Sequence, residues 1–182
     1  MSRHLSLLDE LRHYAPADAL EAEHHAALLA LLADGDAVFG RDHFVPGHVT
    51  ASCYVLDADA RLLLHRHRRL GRWLQMGGHL EADESPSRAA LREAEEESGL
   101  DGLALVVDRV FDIDVHGIPA AKGEPDHRHF DVRYLARTAT PERIAIDPAE
   151  SEELAWVDLG RAEALLDEEA GRRVIRKIRS VV

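Results

Sequence analysis

The chain has 182 residues, 46% hydrophobic and 31% charged, which suits one α/β domain with a packed core and excludes the disordered and fibrous classes. Its formal net charge of −12 excludes a surface built to grip a nucleic-acid polymer, because such binding rests on a basic face; a small anionic ligand stays open if cations bridge the two negative partners. The one cysteine, Cys53, rules out an intramolecular disulfide, and with no signal segment and no apolar run of about 18 residues no membrane association is expected and the cytoplasm is the expected location.

Residues 3–14 and 17–33 read as helices separated by Pro16. The first carries Leu5, Leu8 and Leu11 at threefold spacing; the second is rich in alanine and leucine. Asp34-Gly35-Asp36, Arg41-Asp42 and Pro46-Gly47 carry turn chemistry and close an N-terminal helical extension, residues 1–46, ahead of a catalytic domain, residues 47–182. The two helices are placed outside the core, where a homodimer contact is one use for them. Val49 to Leu56, a turn at Asp57-Ala58-Asp59-Ala60, and Leu62 to Leu64 predict a hairpin. Ser85 and Pro86 form an N-cap and first-turn pair, and Gly99 stands where a helix C-terminal glycine belongs. Leu103 to Val115 and His127 to Tyr134 read as strands, Leu154 to Val157 as a short last strand, and 159–169 and 172–180 as helices. Strands and helices interspersed in this way indicate a mixed α/β fold.

The segment from Gly77 to Leu100 carries the chemistry. On a helix, Glu93 and Glu97 are four residues apart and Glu96 is three from Glu93, so the three carboxylates share one side. A solvated acidic face is the plain alternative. Ala90, Leu91 and Ala94, however, supply an apolar stripe that docks the helix and fixes where the glutamates point. Gly77 and Gly78 permit a close backbone approach just ahead of it. Such a carboxylate set suits hard, oxygen-liganded divalent ions of the kind shared with substrate phosphates.

These residues resemble the Nudix box: Gly78, Glu84, Arg92, Glu93, Ala94, Glu96, Glu97, Gly99 and Leu100 occupy all nine of its specified positions. The resemblance implies a Nudix-like αβα sandwich with a mixed curved sheet. It also implies a metal-dependent hydrolase, using Mg²⁺ (or Mn²⁺), that cleaves a diphosphate linkage in a nucleoside diphosphate derivative or a related organic pyrophosphate. Its partner would then be a small phosphorylated metabolite. By the same resemblance Glu93, Glu96, Glu97 and the Gly78 carbonyl hold metal, and Arg92 with Glu84 orients the glutamates. Bound metal would polarise the diphosphate and acidify the attacking water. Glu93 is one candidate base; Glu152 and Glu153, in a late acidic loop, are others.

Twelve histidines are present. A strand over 127–134 puts His127, His129, Asp131 and Arg133 on one face, and the preceding segment alternates Asp112, Asp114 and His116 with Phe111, Ile113 and Val115. If the two strands pair, the polar face suits a second metal or a substrate phosphate, with His79 a further member; an exposed hydrophilic face is the plain alternative. His65 and His67, with Arg66, Arg68 and Arg69, make a basic run beside the glycine loop. Two departures bear on substrate class. Met76 stands where many pyrophosphatases of the family have proline, and His79 follows the glycine pair as in the isopentenyl diphosphate isomerase branch. That branch also needs a cysteine where this chain has Gly77, so an isomerase ranks behind the hydrolase; a nucleotide-binding sensor without turnover ranks third.

Overall fold

The computed structural model describes residues 2–121 and 123–182. Among them are five α-helices and one open eight-stranded sheet. Helices α1 (Arg3–Arg12) and α2 (Ala19–Leu31) lead through a 3-10 segment, Leu32–Phe39, into strand β1 (Gly47–Leu56). The chain continues through β2 (Leu62–His67), β3 (Trp73–Leu74), β4 (Met76–His79), α3 (Pro86–Ser98), β5 (Ala104–Leu105), β6 (Asp112–Ile118), β7 (His127–Arg137), β8 (Ser151–Val157), α4 (Leu159–Leu165) and α5 (Glu169–Arg179).

The expected hairpin is present, with Val55 opposite Leu63 and Leu56 opposite Leu62. The sheet is organised by two long central strands, β1 and β7, which run parallel from Gly47↔Arg128 to Leu56↔Arg137. Each divides its outer edge between two partners. β1 pairs β4 along Thr50 to Cys53 and β2 beyond it; β7 pairs β6 along its first half and β5 at its end. The single strand expected over 103–115 is therefore two strands. From Leu105, opposite Ala136, to Asp112, opposite Arg133, the edge chain advances seven residues while β7 advances three, so it leaves the ladder in a segment that holds Asp108 and Arg109.

Alternation along β1 sorts the layers. Val49, Ala51, Cys53 and Val55 pack with Ala89, Ala90 and Ala94 of α3, while Tyr54 and Leu56 pack with Val174, Ile175 and Ile178 of α5. The result is helix, sheet, helix. The N-terminal helices belong to the first layer: Leu7, Leu11, Leu28, Leu31 and Phe39 are buried in the same cluster as the α3 alanines. This differs from the placement outside the core. The apolar stripe of α1 is Leu7 and Leu11, four apart, with Leu5 left 53% exposed, because threefold spacing drifts around a helix with 3.6 residues per turn. Among the described residues, no helix is long and apolar enough to cross a membrane.

Candidate metal and substrate site

Helix α3 begins and ends where its capping residues dictate. The Ser85 side chain accepts from the Arg88 N–H, Pro86 fills the first turn, and Gly99 is left-handed at φ 69°. Its alanine face on the sheet turns Glu93 and Glu97 toward the strand β4 that carries the two glycines. Approach there is tight: a Cβ on Gly78 would sit 2.7 Å from the Glu93 carboxylate, and one on Gly77 would sit 2.4 Å from the Ser52 Cβ. At Gly77 the clash includes the Ser52 and Ala51 backbone and only glycine fits, whereas at Gly78 a side chain would push the Glu93 carboxylate aside.

Arg92 gathers the carboxylates. Its Nε and Nη2 donate to the two oxygens of Glu84, each at 3.0 Å, Nη1 donates to Glu93 at 2.9 Å and Glu96 at 3.2 Å, and Nη2 also donates to the His79 carbonyl at 3.0 Å. Burial opposes ionisation of Glu84, but the Arg92 hydrogen bonds win and hold its pKa below the ordinary value. The glutamates differ in depth: the Glu96 side chain is 60% exposed, those of Glu93 and Glu97 18% and 10%. Burial raises the pKa of Glu93.

Glu97 is the most strained of them. One oxygen accepts from the Gly77 N–H at 3.3 Å; the other, Oε2, is buried without a hydrogen-bond partner, 3.5 Å from His65 Nδ1. His65 does not supply a countercharge, because burial and the neighbouring His67 push its pKa down to about 4, and its Nδ1 pairs with the Ser151 hydroxyl at 2.7 Å. Burial first, then the charges of Glu93, Glu150 and Asp147, push Glu97 up to about 8. A buried carboxylate oxygen lacking a donor, beside a second, partly buried carboxylate, asks for a cation. The residues fit a hard divalent ion.

Glu152 and Glu153, expected as late-loop bases, lie on β8. Glu152 pairs with Arg66 at 3.6 Å, and Glu153 sits opposite Arg66 in the β2–β8 ladder. The late acids whose charge reaches Glu97 are Glu150 and Asp147, which sequence reading passed over. Glu150 opens the acidic patch itself and Asp147 lies just before it, and nothing local in the sequence ranks the acids of that patch by their distance from α3.

Strands β6 and β7 do pair, placing Asp112 opposite Arg133, Asp114 opposite Asp131, and His116 opposite His129. The polar face then divides. Arg133, 6% exposed, donates to Asp131 at 2.9 Å, Asp114 at 3.0 Å and Asp112 at 3.4 Å, and Asp131 also accepts from Thr50 and Ser52. These charges satisfy one another inside the sheet and are not free for a ligand. His127 and His129 instead gather with His79 and with His48, a residue the sequence reading did not single out; neighbouring ring centroids lie 4.8 to 5.2 Å apart. Burial and neighbouring imidazoles lower the proton affinity of His79 to about 4 and of His129 to about 2. A cleft opens beside them, lined in part by Arg41, Arg69 and Glu124. Arg69 is the residue of the basic run that reaches it. Arg66 and Arg68 turn to the 151–152 segment.

The NUDIX domain family model matches residues 46–178. A probable DHNTP pyrophosphohydrolase of Lactococcus lactis subsp. cremoris (strain MG1363) is 35% identical over 89 residues, which is 48% of this chain and 52% of that protein, so the likeness spans about half the length of that relative. Two solved structures share the fold. A C. elegans Ap4A hydrolase binary complex superposes with a TM-score of 0.59 at 20% identity, covering 72% of this chain and 95% of that one. The E. coli dihydroneopterin triphosphate pyrophosphohydrolase superposes with a TM-score of 0.55 at 21% identity, covering 71% and 92%.

Proposed function

The chain belongs to the Nudix family, and from that premise and the geometry of α3 we propose that it hydrolyses a diphosphate linkage in a nucleoside diphosphate derivative or a related organic pyrophosphate. The observation that carries the reading is the buried, unpartnered oxygen of Glu97 beside Glu93 and the glycine pair. Glu93, Glu96, Glu97 and the Gly78 carbonyl would hold Mg²⁺ or Mn²⁺, which when bound supplies charge neutralisation for the phosphates and acidifies water.

The chain's own residues supply the rest. Arg92, locked by Glu84, keeps Glu93 and Glu96 aimed and holds the His79 carbonyl so that the loop after β4 stays in place. Arg69 and Arg41, at the rim of the neighbouring cleft, attract an anionic metabolite to an otherwise acidic protein. For the proton of the attacking water we rank Glu150 ahead of Glu152 and Glu153, because its charge is felt at Glu97 while Glu152 pairs with Arg66. The relatives are named for dihydroneopterin triphosphate and Ap4A, so a pteridine triphosphate and a dinucleoside polyphosphate belong in the first substrate panel.

The test is a screen of phosphorylated metabolites with Mg²⁺ or Mn²⁺, following released phosphate, pyrophosphate and nucleoside monophosphate together. Hydrolysis that stops on chelation and falls by a factor of about 10³ or more in Glu97→Gln supports the reading, given the several kcal/mol that a metal contributes to transition-state charge. Turnover that survives both treatments removes it.

A further inference from the structure

The histidine cluster is not part of the glutamate site. His48 is opposite His129 across β1 and β7, and His79 is opposite Thr50, two residues along β1 from His48. Alternation puts all three on one face of the sheet. Gly78 is opposite Ala51, on the other face, where Glu93 closes over it. The backbone of the sheet therefore separates the imidazoles from the carboxylates.

We propose that His48, His79 and His129 form a second cation site, for Zn²⁺ or a similar borderline transition-metal ion, chemically distinct from the hard-cation site of α3. One ligand nitrogen from each lies within 4.8 Å of the other two. Tetrahedral zinc with bonds of about 2.0–2.1 Å requires nitrogens roughly 3.3 Å apart, so small rotations of the rings close the set.

His48 carries the second, independent observation. It is 1% exposed, its Nδ1 lies 3.2 Å from the His43 carbonyl, and its Nε2 is buried without a partner. A carbonyl can only accept, so Nδ1 carries the proton and Nε2 keeps a free lone pair, the form in which an imidazole ligates a metal. Left alone, that atom costs stability. A backbone carbonyl behind the distal nitrogen is also the arrangement by which proteins fix the tautomer and orientation of a metal-bound histidine. His79 and His129 both line the cleft that contains Arg41 and Arg69, which leaves a fourth position for water or an anion. Three imidazoles with one open position suit zinc, cobalt or nickel; they do not suit Mg²⁺, which demands oxygen ligands.

The full chain, stripped with chelator and titrated with Co²⁺, tests this by visible spectroscopy. One equivalent is expected to give the intense bands of four-coordinate cobalt. The bands are expected to persist in the Glu93→Gln/Glu97→Gln double variant and to be lost in His79→Gln and His129→Gln, with circular dichroism confirming that each variant is folded. Absence of the bands in the wild type, or their loss in the glutamate variant with retention in both histidine variants, overturns the proposal. X-ray absorption on the zinc-loaded wild type needs no variant: scattering from multiple imidazoles is expected, and a shell of oxygens alone overturns it. Both readouts are independent of turnover, so the Nudix reaction can fail without this site failing, and the reverse.

Discussion

At the scale of single residues, Glu97 shows how function opposes stability. Its pKa in the folded protein is raised to about 8, so in the absence of metal the fold favours the neutral carboxyl. The unfolded value is about 4.3. Stability of the metal-free protein therefore declines as pH rises between these values and levels off above them. Glu97→Gln removes the ionisation, so we expect the variant to gain thermal stability over the metal-free wild type progressively from about pH 5 to pH 8 while losing activity; melting curves at several pH values check it. Gly78→Ala tests the close approach. With a Cβ 2.7 Å from the Glu93 carboxylate, Glu93 must move, and weaker binding of Mn²⁺ measured by calorimetry is expected. At the late loop, Glu150→Gln is expected to lower turnover by about 10²-fold or more, the size of a general-base contribution, with the Glu152→Gln/Glu153→Gln variant close to wild type. The reverse ranking would return the base to β8.

At the scale of elements, α3 is a rigid bracket whose direction is fixed by three features legible in sequence: the Ser85-Pro86 start, the Gly99 stop and the alanine stripe. What the linear pattern does not contain is the depth of each glutamate. Glu93, Glu96 and Glu97 read alike on a helical wheel, yet Glu97 is buried and Glu96 is open, because the strand they face covers part of one helical face. Arg92 converts the bracket into a site by its two-pronged grip on Glu84. Arg92→Lys keeps the charge but not the fork, and the expected result is metal affinity weaker by about 10- to 100-fold in a folded protein, the usual cost of losing an outer partner of a ligand. Equal affinity in a titration of the two proteins would show that Arg92 does not position the glutamates.

At the scale of the whole molecule, helix α2 and the last helix, α5, are tied together through the sheet. Asp112, fully buried on β6, accepts from Arg173 at 2.8 Å and 3.0 Å and from Lys177 at 2.9 Å; Lys177 also pairs with Glu21 of α2, which is itself fully buried. Removing one charge from such a network leaves the others buried without compensation, at about 3–5 kcal/mol. Asp112→Asn is therefore expected to lower the melting temperature by roughly 10 °C at pH 7, from about 2–4 °C per kcal/mol for a domain of this size. Burial works against the ionised Asp112, but the Arg173 hydrogen bonds and the surrounding cations hold its pKa below the ordinary value. Its stabilising contribution is thus complete above about pH 3.9, the unfolded value, and fades as pH falls further. The gap between wild type and variant should close in acid, and a gap that stays constant to pH 2 would refute the assignment.

Much of this protein was decided along the chain alone. Capping, apolar spacing and the full glycine-to-leucine box over residues 78–100 are local patterns, and they were enough to indicate the αβα class, the helix that bears the carboxylates and the kind of chemistry they suit. Tertiary structure decided the rest, because contact is a property of register and layer rather than of sequence distance. Pairing of β6 with β7 consumed Asp131 and Arg133 in mutual ion pairs that their alternation alone did not reveal. The parallel alignment of β1 with β7 brought His48 to His129 across 81 residues, and burial against the sheet divided three similar glutamates into two deep ones and one exposed. The apolar faces of α1 and α2, placed outside the core on sequence grounds, were claimed by that core for the same reason: only the assembled layers show which surface water has left.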